Sequence, residues 1–450
     1  MKTMTLVPPA IMSFLEEPVA IFGHGVSGHA VANLLSSLEV DYLCYDERSA
    51  SGVRTQFDER TAKGHRLVIY SPRFHFDHPW LSEARQAGCH CLTELDFASL
   101  FWKGKAIAVT GTNGKTTLAE FLVYALKRYR IDAVVVGNNG SPLSRICGRI
   151  DCENVLAICE VSSFEAGALE FFQPDALIWT NFHEDHLDRY DSMERYFSDK
   201  WNLVERLSHS FFLAGASVAE AAEKFGFQLP DFTTVVEGAT QADWDLPRGS
   251  VFSLLSQKEN LTMARTYWGI ESLPEEALRN AAERFPARNH RLAKTAEIDG
   301  VEIWNDSKAT NFSATRAAVS NFKKPVLWIG GGKWRGGDIN GFVEDMARQV
   351  QQAYLIGETA LQVGSLLDGF SVDWTRFGSL PNAVNAAFEA AKPGDVILFS
   401  PGFSSLDMFR DFFDRGDCFE NTVSNLKYRP ASYSDRFPSS SLRYDASPFA

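Results

Sequence analysis

No stretch of this 450-residue chain stays apolar for the roughly 18–20 residues that a bilayer requires, so membrane insertion is not expected. The N-terminal MKTMTLVPPAIMSFLEEP has prolines and two acids where a signal peptide needs a longer apolar core, and the expected location is cytoplasmic. Net positive charge is missing as well. A formal charge of -13 leaves no basic field for a nucleic-acid backbone, so anion sites must be built from particular loops. The seven cysteines are odd in number and scattered, which does not suggest a disulfide framework, and reduced thiols are expected. Only Cys89 and Cys91 stand close together, and CxC alone is weak evidence for a metal. No internal repeat is present. What the chain does have is 45% hydrophobic residues, enough for a core in each of two to four domains.

Three α/β blocks succeed one another. The first, 1–103, opens with VAIFGHGVSGHAVANLL, a strand, a glycine turn and a helix, followed by strand runs in DYLCYD and RLVIYSP. The second, 104–287, contains KAIAVT, DAVVVGNNG, VLAICEVSS and DALIWTNF, each an apolar run that stops at polar residues. The third, 288–450, contains VEIWNDS, KPVLWIGGG, QAYLIGE and DVILFSPG, and ends from about 430 in a Ser/Pro-rich stretch read as a loose tail. Strands alternating with helices imply parallel sheets, with ligands collecting at the carboxyl ends of the strands.

Residues 107–122, IAVTGTNGKTTLAEFL, form the sharpest motif. Leu118, Phe121, Leu122, Ala125 and Leu126 have helical spacing, so a helix begins near Thr116. The backbone N–H groups of Gly111, Thr112, Asn113, Gly114, Lys115 and Thr116, with Thr117 next, then face whatever sits on that helix N-terminus. Lys115 supplies a positive charge for β/γ-phosphates, and the Thr116 hydroxyl can reach Mg²⁺. One position departs from the common phosphate-loop pattern: Val109 stands where a glycine is usual. A plain strand-to-helix turn would explain the glycines, but not their agreement with Gly-Lys-Thr and an amphipathic helix. The expected fold is α/β in three domains: a Rossmann-like N-terminal domain, a central P-loop ATPase-like parallel sheet and a Rossmann-like C-terminal domain.

Glu160, Asp185 and His186 each follow a strand of the second block and so fall on the same sheet edge as the phosphate loop. A carboxylate and an imidazole there can ligate Mg²⁺ that bridges ATP phosphates and an attacked acyl group. Together GTNGKTT, EVSSF, NFHEDHLDRY, NHR, NDSKATN and SLDMF resemble the Mur ligases, with the related folylpolyglutamate synthetases as the nearest alternative. The resemblance covers the chain except its tail. It implies ATP and Mg²⁺ as cofactors, with Glu160 and His186 as metal ligands and Lys200 as a lysine that CO₂ converts to a carbamate holding a second Mg²⁺. Ser162 of EVSSF goes with the substrate and Asn260 with the nucleotide, while Glu165 replaces a usual Gln and Met263 a usual Asn.

Within the family, the first and third blocks resemble the member that adds D-glutamate to UDP-N-acetylmuramoyl-L-alanine. That likeness places Ser27, Asp46, Arg48, Ser71 and Asn138 on the uridine nucleotide and its sugar, with Arg73 where a glycine commonly follows SP. It gives Arg291 to ATP phosphate, Asp306 to ATP ribose, and Lys308 and Thr310 to the incoming amino acid. Ser405 and Phe412 go to a carboxylate of that amino acid, and either Lys333 or Arg335 to its side chain. NDSKATN also reads as a loop that caps a helix through Ser313 or Thr315. The implied activity is amide ligation through an acyl phosphate by a monomer, with Lys115, Lys200, His186 and Arg291 at the reacting centre and the third domain closing over the second. GHGVSG with Asp46 about twenty residues on also fits an NAD-dependent oxidoreductase. That rival leaves the phosphate loop unexplained.

Overall fold

The structure, a computed structural model, describes residues 8–426 apart from 49, 72–73, 75–76, 139–140, 148–151, 209–210, 238–243, 248–249 and 287. Arg73 and the tail from about 430 therefore lie outside the described residues. The chain divides into two compact units, Met1–Ala287 and Arg288–Ala450.

The first unit holds two parallel sheets. In one, β1 (Val19–Phe22), β2 (Tyr42–Tyr45), β3 (Val53–Arg54), β4 (Leu67–Tyr70) and β5 (His90–Thr93) are ordered β3-β2-β1-β4-β5. The chain leaves β1 through the first glycine turn into helix α1 (Val26–Ser37). The other sheet contains β6 (Ala106–Thr110), β7 (Ala133–Gly137), β8 (Leu156–Glu160), β9 (Ala176–Trp179), β10 (Phe211–Gly215) and β11 (Thr233–Val236), ordered β11-β10-β9-β6-β8-β7. Strand β6 is buried throughout because each of its faces meets a separate core. Ala106 and Ala108 face one, Ile107 and Val109 the other. Around this sheet lie α2 (Lys115–Arg128), α3 (Met193–Glu205) and α4 (Leu255–Ile270). Since β7 and β8 lie on one side of β6 and β9 on the other, the strand order reverses at β6, and a crevice opens at its carboxyl end.

Two buried carboxylates join these sheets. Asp96, in the helix Glu94–Ser99, accepts the N–H groups of Glu170, Phe171 and Phe172 at 2.9, 2.8 and 2.8 Å. Glu94 accepts the N–H of Ser144 at 2.7 Å and also its hydroxyl. Both carboxyls are driven up by burial, and the bonds they accept partly offset it.

The second unit has one sheet: β12 (Ala293–Ile298), β13 (Val301–Asn305), β14 (Val326–Gly331), β15 (Gln352–Ile356), β16 (Asp373–Arg376) and β17 (Val396–Phe399), ordered β12-β13-β17-β14-β15-β16. Alternation of strands and helices predicts parallel pairing, and all pairs here are parallel except β12 with β13. Those two form a hairpin through Asp299 and Gly300, both at positive φ (52° and 77°), the Asp-Gly pair that such a turn prefers. Helices α5 (Phe312–Val319) and α6 (Phe412–Leu426) follow β13 and β17. The cap of α5 is Asn311, whose side chain accepts the N–H of Ala314, and not Ser313 or Thr315. A capping oxygen must come from the extended residue just before the first turn. Ser313 instead donates to Asn311, and Thr315 lies inside the helix, donating to Ser400 O.

Candidate active site

Val109 lies in the body of β6, fully buried and paired with Glu160 and Ile178, so the loop begins two residues later than the common pattern has it. From there the glycines are fixed by space and conformation. Gly111 has φ 143°, and a Cβ there would overlap the Thr180 hydroxyl; Gly114 has φ 84°, and a Cβ there would strike the Asn260 amide. The turn is stitched to the segment after β9. Thr112 N–H donates to Asn181 O (3.0 Å), Asn113 N–H to Asn181 Oδ1 (2.9 Å), and Thr180 Oγ1 to Asn113 O (2.7 Å). Thr116 and Thr117 occupy the first turn of α2, which starts at Lys115, one residue before the predicted point. Asn260 of α4 thus supports the loop from below, while Met263 is buried in the core on the same helix.

Two lysines converge on one carbonyl of this loop. Lys115 Nζ donates to Gly111 O (2.7 Å) and Thr112 O (3.0 Å). Lys200, only 1% exposed on α3, donates to the same Gly111 O (3.2 Å) and to Thr110 Oγ1 (3.1 Å). Burial, and then the charge of Lys115, hold the Lys200 amine well below the ordinary lysine value, against the pull of Asp185, Glu160 and Asp199.

Glu160 ends β8 and is 2% exposed. Its Oε1 accepts from Asn138 Nδ2 (3.3 Å), and its backbone carbonyl accepts the Asn138 N–H (2.9 Å). Its Oε2 is buried without a hydrogen-bond partner. Asp185 Oδ1 accepts the N–H of His186 (2.8 Å), and the imidazole Nε2 stands 3.7 Å from Asp185 Oδ2. His186 has φ 58°, the left-handed region that a side chain seldom adopts, with its ring against Phe164. Ser162 closes a capping box with Glu165, so its hydroxyl is used within the turn. Glu165 is buried and pushed up to about 7 by desolvation.

In the first sheet, Asp46 braces the glycine turn. It accepts the N–H of His24 (2.8 Å) and of Arg48 (2.9 Å), with the Arg48 guanidinium 3.6 Å away. Ser71 N–H donates to Phe22 O, which brings Ser71 beside Gly23, and Ser27 sits in the first turn of α1.

In the second unit, Arg291 lies between His290 and Leu292, both at positive φ (63° and 45°). Asp306 is turned inward. It accepts the Leu292 N–H (3.0 Å) and the Ser400 hydroxyl (2.8 Å), and burial pushes it up to about 7. Lys308 Nζ stands 3.7 Å from the centre of the Phe412 ring, and Ser405 is buried nearby in sequence after β17. Thr310 is half-buried, one residue before the α5 cap. Lys333 is exposed and pairs through its backbone with Ser404, while Arg335 is half-buried. One residue was not read from the sequence. Arg415 is buried on α6 and donates to Ser307 Oγ (3.1 Å), Ser307 O (2.8 Å) and Phe403 O (3.0 Å), tying the segment after β13 to the loop after β17. Its place on the apolar stripe of Phe412, Phe419, Val423 and Leu426 was the available signal.

Comparisons with known proteins give the family. The profile of the Mur ligase middle domain matches residues 109–243, and that of the Mur ligase glutamate ligase domain matches 290–403. A UDP-N-acetylmuramoylalanine–D-glutamate ligase of Desulfatibacillum aliphaticivorans is 32% identical over 384 residues, 80% of this chain and 84% of that one. Another of the same name, from Acidobacterium capsulatum, is 31% identical over 460 residues, 94% of this chain and 98% of that one. Among solved structures, the UDP-N-acetylmuramate–alanine ligase of Thermotoga maritima shares the fold at TM-score 0.58 and 16% identity, covering 91% of this chain and 100% of that one. The MurF ligase of the same organism, solved with ADP, gives 0.57 at 15% identity, covering 92% and 97%. With relatives above 30% identity matched over most of their length, and both domain profiles falling on the loops just described, the chain belongs to the Mur ligase family.

Proposed function

We propose that this chain is a cytoplasmic ligase that uses ATP to join D-glutamate to UDP-N-acetylmuramoyl-L-alanine, a step in peptidoglycan precursor synthesis. The observation that carries the ATP chemistry is the convergence of Lys115, Lys200 and Glu160 on the carboxyl edge of β6 and β8. The choice of D-glutamate rests on the relatives matched nearly end to end and so named.

The carboxylate of the muramoyl-alanine attacks the γ-phosphorus, and the bond to ADP breaks. The amine of D-glutamate then attacks the acyl carbon, and phosphate leaves as the nitrogen loses a proton. A carboxylate approaching a triphosphate is anion meeting anion, so fixed positive charge must lie where the charge builds up. Lys115 has that role on the phosphate loop, and Arg291 is read as a further phosphate contact on the family resemblance of its NHR segment. The N–H groups of Gly114, Lys115 and Thr116 cradle the phosphates, whereas those of Thr112 and Asn113, expected from the sequence to do the same, are taken by Asn181, and Asn260 keeps the loop in shape by packing on Gly114.

The residues fit Mg²⁺. The buried Oε2 of Glu160 has no other partner, which is costly for a carboxylate unless a cation takes it. Glu160, His186 and the Thr116 hydroxyl would hold the ion, which supplies neutralisation of the phosphate charge. Lys200 fits carbamylation, because burial favours the neutral amine that reacts with CO₂. In the first sheet Ser27, Asp46, Arg48 and Ser71, with Asn138 of the second, bind the uridine nucleotide and its sugar. Lys308, Thr310, Ser405 and Phe412, with Lys333 or Arg335, receive D-glutamate, and Asp306 acts on the nucleotide ribose or by pinning Leu292.

Phosphate release from ATP, Mg²⁺ and UDP-N-acetylmuramoyl-L-alanine tests the reading. Release should depend on D-glutamate and not on L-glutamate, D-alanine or folate. Absence of D-glutamate dependence overturns it, and an absorbance change with NAD(H) would favour an oxidoreductase.

A further inference from the structure

Asn305 is the last residue of β13 and is fully buried. Its Oδ1 accepts the N–H of Ser307 at 3.1 Å, which settles the orientation of the amide. Nδ2 therefore faces the other way, 2.8 Å from His290 Nδ1, with Gly416 O at 3.2 Å and Glu420 Oε1 at 3.1 Å. An amide nitrogen can only donate, so His290 Nδ1 accepts and the ring proton sits on Nε2. From Nε2 it is donated to Asp417 Oδ1 at 3.1 Å. The ring has this place only because α6 carries Gly416, where a Cβ would overlap the imidazole.

The chain around the ring is pinned by the same strand end. Lys308 N–H donates to His290 O (2.9 Å), and Leu292 N–H to Asp306 Oδ1 (3.0 Å). Arg291 is thus held between two left-handed residues, each tied down, an arrangement that persists only where its surroundings impose it.

We propose that Asn305, His290 and Asp417 form a positioning relay for Arg291, in which a surface carboxylate fixes one imidazole tautomer and thereby the turn that aims the guanidinium. The inference rests on the reading of Arg291 as a phosphate contact. Asp417 belongs to none of the assigned sites, and its side chain is 65% exposed. His290, Asp417 and Glu420 also lie close enough to be considered as ligands of one cation. Their geometry opposes it. Asp417 faces Nε2, Glu420 lies 3.3 Å from Nδ1, and the lone pair of Nδ1 already accepts from Asn305.

Three variants and one spectrum test the relay. Asp417→Ala should raise KM for ATP about three- to tenfold, the loss of one hydrogen bond, with kcat and the thermal midpoint little changed. Asp417→Asn keeps an acceptor and should restore most of the affinity. Asp414→Asn removes the same charge one turn earlier, where it faces Arg410, and should have no effect. Nitrogen-15 spectra of histidine-labelled protein, assigned with His290→Gln, should show His290 protonated at Nε2. An unchanged KM for ATP in Asp417→Ala, an Nδ1-protonated ring, or stoichiometric Zn²⁺ binding that is lost in Asp417→Ala would each overturn the relay. Absence of any ligase activity in the unmodified chain would remove the functional reading, while the spectrum would still decide the tautomer.

Discussion

After β1 the chain turns through Gly23 (φ 101°) to Gly28, and after β6 through Gly111 (φ 143°) and Gly114 (φ 84°). Each turn feeds a helix of twelve or fourteen residues at the carboxyl end of a strand where the sheet order reverses. Their surroundings differ. The first is braced by Asp46, a carboxylate that takes two backbone N–H groups, and has no lysine in its glycine segment. The second has Lys115 and Lys200 on one carbonyl and the unpaired oxygen of Glu160 on the next strand. A glycine turn offers backbone donors, and the neighbouring elements decide what charge they meet. This is why GHGVSG fitted either an NAD site or a uridine nucleotide site, whereas GTNGKTT pointed to ATP.

The contrast can be broken most directly at the lysine. Lys115→Ala should lower kcat on the order of 10²–10³-fold, as does loss of a donor at a charged transition state. Ser27→Ala in the first turn should change mainly KM for the UDP substrate. If Lys115→Ala stays within tenfold of the parent, the two turns do not differ as described.

Lys200 comes next. Wild-type activity should fall when CO₂ is stripped from the buffer and return with bicarbonate, while Lys200→Ala should be insensitive to both and about 10²-fold slower. Equal activity with and without CO₂ would remove the carbamate.

Within the first turn, Gly28→Ala should cost about 2 kcal/mol or more, because its Cβ would overlap Gly23 O. Gly25, with no atom within 4 Å of such a Cβ and φ -92°, should tolerate alanine within about 0.5 kcal/mol. Paired denaturation curves give both values.

The acids give a pH contrast. Asp46 is partly buried, which raises it, but the N–H groups of His24 and Arg48 bring it below the ordinary value. Its contribution to stability is present above the unfolded value and lost as pH falls. Glu165 is raised from 4.5 to about 7 by burial, so its contribution is present below about 4.5 and lost as pH climbs through about 7. Glu165→Gln should therefore stabilise the protein at pH 8, by up to about 3 kcal/mol, and change little at pH 4.5. Thermal midpoints at the two pH values measure it. A modest kinetic effect is expected of Asp46→Asn, a rise of about three- to tenfold in KM for the UDP substrate at unchanged kcat.

The strands and the phosphate loop were legible because apolar runs with polar stops, and Gly-Lys-Thr before a helix, are local patterns. Val109 looked like a defect only while the strand end was unknown; its pairing with Glu160 and Ile178 places it inside β6. Pairings between elements were not legible. Asn138 bonds to Glu160 because β7 and β8 are neighbours in a particular register, and Asp306 turns inward because Ser400 and Leu292 meet it there. The Asp299-Gly300 hairpin could have been read, since both residues favour positive φ, but strand and helix alternation outweighed it. Arg415 was hidden by its type: a guanidinium on an apolar stripe looks like a break in the pattern until its three acceptors are seen.

The seam closed by Asp96 and Glu94 sets a length. A joint in which buried Asp96 holds three backbone N–H groups and buried Glu94 holds the N–H and hydroxyl of Ser144 resists sliding, so Ser27 beside one sheet and Glu160 on the other keep their separation. The two sheets then act as the fixed jaws of a gauge. For the ligase proposed above, a nucleotide-linked substrate that touches both would then be selected by its span.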